Sequence, residues 1–379
     1  VINLKISKGR GNMAKQKVVV AMSGGVDSSV TAVLLQKQGY DVIGITMRLY
    51  SPDDPLEEAN LVGGCCSLDS VDDARRVCES LDIPFYVVNY KEQFEKLVIG
   101  YFQKEYLKGR TPNPCIACNI HMKYDLLLKK ALDLGADYLA TGHYVRRWYD
   151  QESQRYLLGQ AKDAKKDQSY VLYNLTQQQL KHTLFPLGDY LKLEIREMAK
   201  QFGLRVHNKP DSQEICFIPN DDYKSFIEQR TNEEVKGGYF YDTKGNEIGR
   251  HRGIPYYTIG QRKGLGLALG YPAYVVDIVP DNNIVIIGSN DDVYDKGLYA
   301  EELNWVAIDG LDNKPRTAFV KIRSAAKPSK AIITKESNQR IKVIFDKLER
   351  AVTPGQAVVF YDEQQIVLGG GVIAERIRD

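Results

Sequence analysis

Ser23-Gly24-Gly25-Val26-Asp27-Ser28-Ser29 limits what this chain can fold into more than any other stretch. It follows KVVVAM (17–22), an apolar β-branched run of the kind found in a parallel sheet buried on both faces. It leads into SSVTAVLLQKQGY (28–40), whose apolar spacing is helical up to a glycine. Strand, glycine turn and helix make a βα unit. Gly24 and Gly25 let backbone amides approach an anion, Ser23, Ser28 and Ser29 offer hydroxyls, and the helix N-terminus adds a favourable dipole. The spacing describes a pyrophosphate cradle. It is not a Walker A loop, because no lysine precedes the hydroxyl pair. Asp27 would repel a bare phosphate, so its presence implies either Mg²⁺ shared with the phosphates or a capping role.

The strand and helix alternation continues downstream. DVIGITMRLY (41–50) and FYVVNY (85–90) read as strands around a helix over SVDDARRVCESLDI (70–83). An amphipathic stretch from 91 to about 106, a helix over HMKYDLLLKKALDLGAD (121–137) and a strand over YLATGHY (138–144) follow. This order predicts an α/β fold with a doubly wound parallel sheet, and a ligand crevice at the carboxyl ends of its strands. Beyond 145 come a hairpin (148–159), a helical stretch (177–203) and an irregular segment, HNKPDSQEICFIP (207–219). Glycine is dense from 222, and short strands separated by turn signals run to the C-terminus, which predicts a small central domain and then a C-terminal antiparallel β-barrel. A chain of 379 residues is long for one core. We place a catalytic domain at 13–221, the central domain at 222–296 and the barrel at 297–379. Residues 1–12, upstream of Met13, are read as a disordered extension outside the fold.

Six cysteines in so long a chain do not make the framework of a small secreted domain. Cys78 shares an apolar helix stripe with Ala74 and Leu81 and reads as core. The adjacent pair Cys65-Cys66 lies in a glycine loop and receives no catalytic role. TPNPCIACN (111–119) is too punctuated to read as helix or strand. Its Cys115 and Cys118 suit half a zinc site, a redox dithiol, part of an iron–sulfur cluster, or a nucleophile with a bystander. No apolar run approaches the ~18 residues of a membrane span, and the basic start leads into no export signal, so we expect a cytoplasmic protein with no membrane partner. A net charge of +2 announces no nucleic-acid binder. Local basic clusters with interleaved tyrosine or glycine, such as HRGIPYYTIGQRKG (251–264), suit phosphate contact with base stacking.

SGGVDSS, in its strand-to-helix setting, resembles the PP-loop motif of the N-type ATP pyrophosphatases. Further segments narrow the match: GGCCSLDSVDDAR (63–75), TPNPCIACN, LATGHY (139–144), KDAKKDQSYVL (162–172), DSQEICFIP (211–219), YYTIGQRKGLG (256–266) and VTPGQAVVFY (352–361). In this order they resemble the tRNA-specific 2-thiouridylase family from about Met13 to the C-terminus. The resemblance implies a tRNA-uridine 2-sulfurtransferase: ATP adenylates the C2 oxygen of the wobble uridine of tRNA, and sulfur from a cysteine persulfide replaces it, releasing AMP and pyrophosphate. A sulfur-relay or cysteine desulfurase protein would supply the sulfur.

Residue by residue, the resemblance makes Cys118 the nucleophilic cysteine and Cys216 the persulfide carrier. These two would have to approach within ~7 Å between α-carbons to close a disulfide. Ala21, Met22, Ser23, Gly24, Gly25, Val26, Asp27 and Ser28 match the ATP-binding loop, with Met47 and Gly142 lining the nucleotide. Asn113, Pro114 and Cys115 match the segment that touches the target base. His143, Lys166, Asp167, Gln168, Arg323 and Gln356 match tRNA-contacting positions, although Ser324 follows Arg323 where many relatives carry an aromatic. Cys115 stands where many carry aspartate. That departure admits a second arrangement, a [4Fe-4S] cluster on Cys115, Cys118 and Cys216, beside the persulfide route.

Overall fold

The computed structural model describes residues 15–50, 68–211, 215–218, 222–231 and 235–378. Cys65, Cys66 and residues 1–12 lie outside them.

Alternation of buried β-branched runs with helices builds a five-stranded sheet in which every pairing is parallel. Its strands are β1 (Lys17–Ala21), β2 (Asp41–Arg48), β3 (Phe85–Asn89), β4 (Tyr138–Ala140) and β7 (Thr183–Leu184), in the order β3-β2-β1-β4-β7. The winding reverses between β1 and β4, the position at which a doubly wound sheet opens a ligand crevice. Val18, Val19 and Val20 are fully buried, as a strand covered on both faces requires. Helices α1 (Val26–Lys37) and α2 (Leu68–Ser80) connect the first strands. Cys78 of α2 is fully buried beneath Gly44, in agreement with its stripe position. Burial pushes its thiol up to about 12.

The helix α3 runs through Lys91–Phe94, Glu95–Ile99 and Gly100–Leu107, over the expected amphipathic stretch; other elements depart from the sequence reading. The next helix, α4, begins at Pro114 within TPNPCIACN, not at 121, and runs through Pro114–Ala117, Cys118–Leu127 and Leu128–Asp133. Proline at the first helical position needs no amide partner, and Asn113 caps the turn by accepting from the amides of Cys115 (3.1 Å) and Ile116 (3.3 Å). The punctuation that seemed to forbid a helix is its start signal. YLATGHY is strand only over Tyr138–Ala140. The hairpin is β5 (Arg146–Asp150) with β6 (Arg155–Gly159). The stretch 177–203 is not one helix: α5 (Gln177–Lys181), β7 and α6 (Lys192–Gln201) divide it, and Pro186 and Gly188 lie in the break.

After α7 (Tyr223–Arg230), the central unit is a four-stranded sheet with the order β10-β11-β8-β9. Its strands are β8 (Gly238–Asp242), β9 (Glu247–His251), β10 (Tyr274–Val279) and β11 (Ile284–Gly288). Six antiparallel strands, β12 (Tyr294–Trp305), β13 (Arg316–Lys321), β14 (Ser329–Lys335), β15 (Ile341–Arg350), β16 (Ala357–Tyr361) and β17 (Val367–Ile377), then close a barrel in the order β12-β15-β14-β13-β16-β17. The barrel shares a core with the catalytic unit: Ala357, Val359 and Tyr361 cluster with Val19, Tyr170 and Tyr173. Tyr170 donates to the Ala357 carbonyl (2.9 Å) and Tyr173 to that of Gly371 (3.1 Å).

Candidate active site

The glycine loop leaves β1 at the switch point. Gly24 has φ +68°, and a Cβ there would fall 2.1 Å from the Ser70 carbonyl oxygen, so both conformation and space demand glycine. Gly25 is the N-cap of α1 with no side chain capping it, which leaves the first turn's amides facing the crevice. Ser28 and Ser29 donate to the Gly25 carbonyl (3.2 and 2.8 Å), and Ser23 Oγ lies 3.3 Å from Ser28 Oγ. Ser29 is fully buried, so its hydroxyl shapes the loop rather than facing a ligand, contrary to the sequence reading.

Asp27 does not cap α1. Its carboxylate accepts from the Lys192 ammonium (2.8 Å to each oxygen) and from the Tyr144 hydroxyl (2.7 Å). Lys192 also reaches Asp211 at 2.8 Å, and Asp211 takes Lys166 (2.6 Å) and Arg196 (2.8 Å) besides. Burial works to raise the Asp211 carboxyl, but hydrogen bonds from Lys166 and Lys192 hold it down to about 2. A second lysine, Lys209, donates to the Gly24 carbonyl (3.2 Å) and Asp73 (2.8 Å). Sequence reasoning missed Lys192 and Lys209. One signal was available: Lys192 occupies the first position of α6, where the helix dipole disfavours a cation.

β4 delivers the neighbouring Thr141-Gly142-His143 turn. A Cβ on Gly142 would fall 2.9 Å from the Asp27 backbone carbon and the Ser28 amide, so the two loops meet across the crevice. His143 is buried: Nδ1 lies 2.8 Å from Thr141 Oγ1 and 3.0 Å from the Tyr124 hydroxyl, and Nε2 lies 3.5 Å from the Lys123 ammonium. Burial, then the Lys123 charge, hold its imidazole well below the usual histidine range. It is a neutral ring, with Nε2 accepting from Lys123 and the proton on Nδ1.

Cys118 and Cys216, far apart in sequence, pack against one apolar cluster that includes Phe94, Phe102, Met122 and Phe217. Met47, half-buried near the end of β2, packs on this cluster and on the sheet core alike. Burial raises the Tyr124 hydroxyl, the Thr141 hydrogen bond opposes this, and Cys118, on the same helix, raises it further. Cys115, three residues before Cys118 on the same helix, is exposed. Asn113 and Pro114 are held from the barrel: Gln356 donates to the carbonyls of Thr111 (2.9 Å) and Pro112 (3.3 Å). Among the other positions, Asp167 is spent internally on Ser169 and the Ala161 amide, and Gln168 accepts from the Tyr144 amide (2.9 Å). Arg323 donates to the Ala351 carbonyl (2.6 Å).

The donor sets for metals are poor. Among the described residues no three His, Cys, Asp or Glu side chains converge on a metal position. Cys115, Cys118 and Cys216 do not form a [4Fe-4S] donor set as arranged. Asp27, bound to Lys192 and Tyr144, is the carboxylate nearest the cradle, so Mg²⁺ would rest chiefly on phosphate oxygens. Among the described residues no helix is long and apolar enough to cross a membrane.

Residues 16–220 match a family model described as tRNA methyl transferase HUP domain. Residues 224–289 match a tRNA methyl transferase PRC-barrel domain and 295–373 an aminomethyltransferase beta-barrel domain. The tRNA-specific 2-thiouridylase MnmA of Acetivibrio thermocellus is 56% identical over 95% of this chain and 100% of its own. That of Clostridioides difficile is 53% identical and that of Carboxydothermus hydrogenoformans 52%, each over 96% of this chain and 99% of its own. With the glycine loop, the paired thiols and the barrel contact all in one such chain, the protein belongs to the tRNA-specific 2-thiouridylase family.

Proposed function

We propose that the protein replaces the C2 oxygen of the wobble uridine of tRNA by sulfur, using ATP and a persulfide on Cys216. The segment Ala21 to Ser28 holds the phosphates, with Met47 and Gly142 along the nucleotide and Asn113, Pro114 and Cys115 against the target base. The uridine O2 attacks the α-phosphorus and pyrophosphate leaves. The terminal persulfide sulfur then attacks C2, and AMP departs with the oxygen. Cys118 attacks Cys216 Sγ, closing a disulfide as the C2=S product is released; cellular thiols reduce it again. In the variant of this step, Cys118 first frees sulfide from the persulfide, and sulfide attacks C2. A sulfur-relay or cysteine desulfurase protein reloads Cys216. His143, Lys166, Asp167, Gln168, Arg323 and Gln356 are assigned to tRNA, with Asp167 and Gln168 acting through the backbone that they fix.

The observation that carries this reading is the seating of Cys118 and Cys216 on one apolar cluster, with Cys118 on the helix whose Tyr124 hydroxyl lies 3.0 Å from His143, in the turn that abuts the glycine loop. A thiol pair beside a triphosphate cradle suits sulfur transfer to an adenylated acceptor; it has no use in methyl transfer, the activity in the family models' descriptions. Replacing Cys216 by alanine tests it. Retained tRNA binding and pyrophosphate release with no thiolated product is the expected result. Thiolation at the native rate by Cys216→Ala rejects the reading.

A further inference from the structure

The three structural units meet around a cavity of about 580 Å³. Asn113 from the catalytic unit and Arg323 and Gln356 from the barrel line it, and these are residues already assigned to RNA. The rest of the lining includes residues with no assignment, among them Tyr223 and Lys224 on α7 and the turn Thr258 to Gln261 of the central unit, which adjoins Thr111 and Arg323. The walls carry hydroxyls, amides and two cations, and among the described residues no carboxylate lines the cavity.

Asp222, the acid nearest Lys224 in sequence, caps α7, accepting from the Ser225 amide (3.2 Å) and hydroxyl (2.6 Å), and its charge offsets that of Lys224 only in part. The Lys224 ammonium stands 5.8 Å from the centre of the Tyr257 ring and beside Gly264, whose missing side chain leaves room for it. Burial, then the charge of Arg252, pull its proton affinity down. Arg323, which also lines the cavity, is likewise depressed by burial and then by Arg350. Two partly desolvated cations on one cavity with no lining carboxylate favour an anion there. The volume suits a single nucleotide or smaller group rather than a duplex. RNA recognised outside a helix is held through splayed single nucleotides and their phosphates.

We propose that this cavity receives an RNA phosphodiester beside the target nucleotide, with Lys224 as the central unit's phosphate contact. The central unit is then part of the RNA-binding surface, beside Arg323 of the barrel. This rests on tRNA being the substrate.

The test is the salt dependence of tRNA binding. Losing one phosphate contact to single-stranded RNA flattens the slope of log K against log salt by about 0.7 and weakens binding about three- to tenfold near physiological salt. Lys224→Gln should show both, and Lys224→Arg should restore the native slope. A native slope and affinity for Lys224→Gln overturns the proposal. A second measurement uses the unaltered protein: saturating tRNA should slow acylation of the Lys224 amine severalfold. Labelling that tRNA leaves unchanged, or that inorganic phosphate alone suppresses while tRNA does not, also overturns it. Native protein that binds no tRNA sinks the thiolation reading itself, whereas native binding with an unaltered Lys224→Gln slope sinks only this one.

Discussion

The Lys192 ammonium lies 2.8 Å from both carboxylate oxygens of Asp27 and 2.8 Å from Asp211, joining the glycine loop to the segment that leads to Cys216. Replacing Lys192 by methionine would leave two carboxylates facing each other. Breaking a fully buried pair costs about 3–5 kcal/mol. The Asp27 side chain is 32% exposed, so water screens part of the loss and we expect about 1–3 kcal/mol in urea unfolding. ATP affinity should fall as well, since Asp27 would turn its whole charge on the phosphates. A variant with native midpoint and native affinity would show the bridge to be idle.

Gly24→Ala meets two obstacles, a left-handed φ and the Ser70 carbonyl. The first costs about 1–2 kcal/mol; the second forces the loop away from α2. We expect ATP binding to weaken by about tenfold or more in calorimetry, equivalent to at least about 1.4 kcal/mol. Gly39→Ala is the control, with φ +93° and nothing within 4 Å of the added carbon. It should lose stability and keep ATP affinity; equal effects at the two sites would contradict the cradle.

His143 should report on pH. In the unfolded chain it binds a proton near the ordinary histidine value, but burial and Lys123 keep the folded imidazole neutral far below that. The unfolded state therefore gains protons first as pH falls. His143 stabilises the fold fully above about pH 6.5, and this contribution declines below it by at most about 1.4 kcal/mol per pH unit. Its ring resonances should not shift between pH 8 and about 6. A midpoint near 6.5 in NMR would refute the buried assignment.

Gln356→Leu removes the donor for the Thr111 and Pro112 carbonyls. Leaving partly buried acceptors unsatisfied costs about 1–3 kcal/mol. The loss should appear as a raised KM for tRNA with ATP affinity unchanged, because the segment released is the one proposed to meet the target base. An equal rise for both substrates would argue for general damage.

The parallel sheet, the barrel and the glycine cradle were legible because each rests on a local pattern: buried β-branched runs, alternating short strands, and glycine at a strand-to-helix turn. The start of α4 was misread because proline breaks a helix interior but suits its first position, and only the Asn113 cap distinguishes the two. Lys192 was hidden for a different reason. On an amphipathic helix a lysine reads as surface, and its burial depends on Asp27 and Asp211, 165 residues upstream and 19 downstream respectively. Pairing of Cys118 with Cys216 came from family resemblance; nothing in their spacing could have given it.

The barrel's 352–356 loop does more than adjoin the catalytic unit. Thr111 donates its amide to the Pro354 carbonyl at 3.0 Å, and Gly355, with φ +92°, sits where a Cβ would strike Thr111 and Arg110. This seam is a matched pair with the tolerances of an interior. A chimera that borrows the barrel of one relative must therefore inherit residues 110–113 from the same parent, or the turn that leads into α4 will be mounted on a foreign support. In this architecture the active site is inherited as two pieces of chain that must descend together.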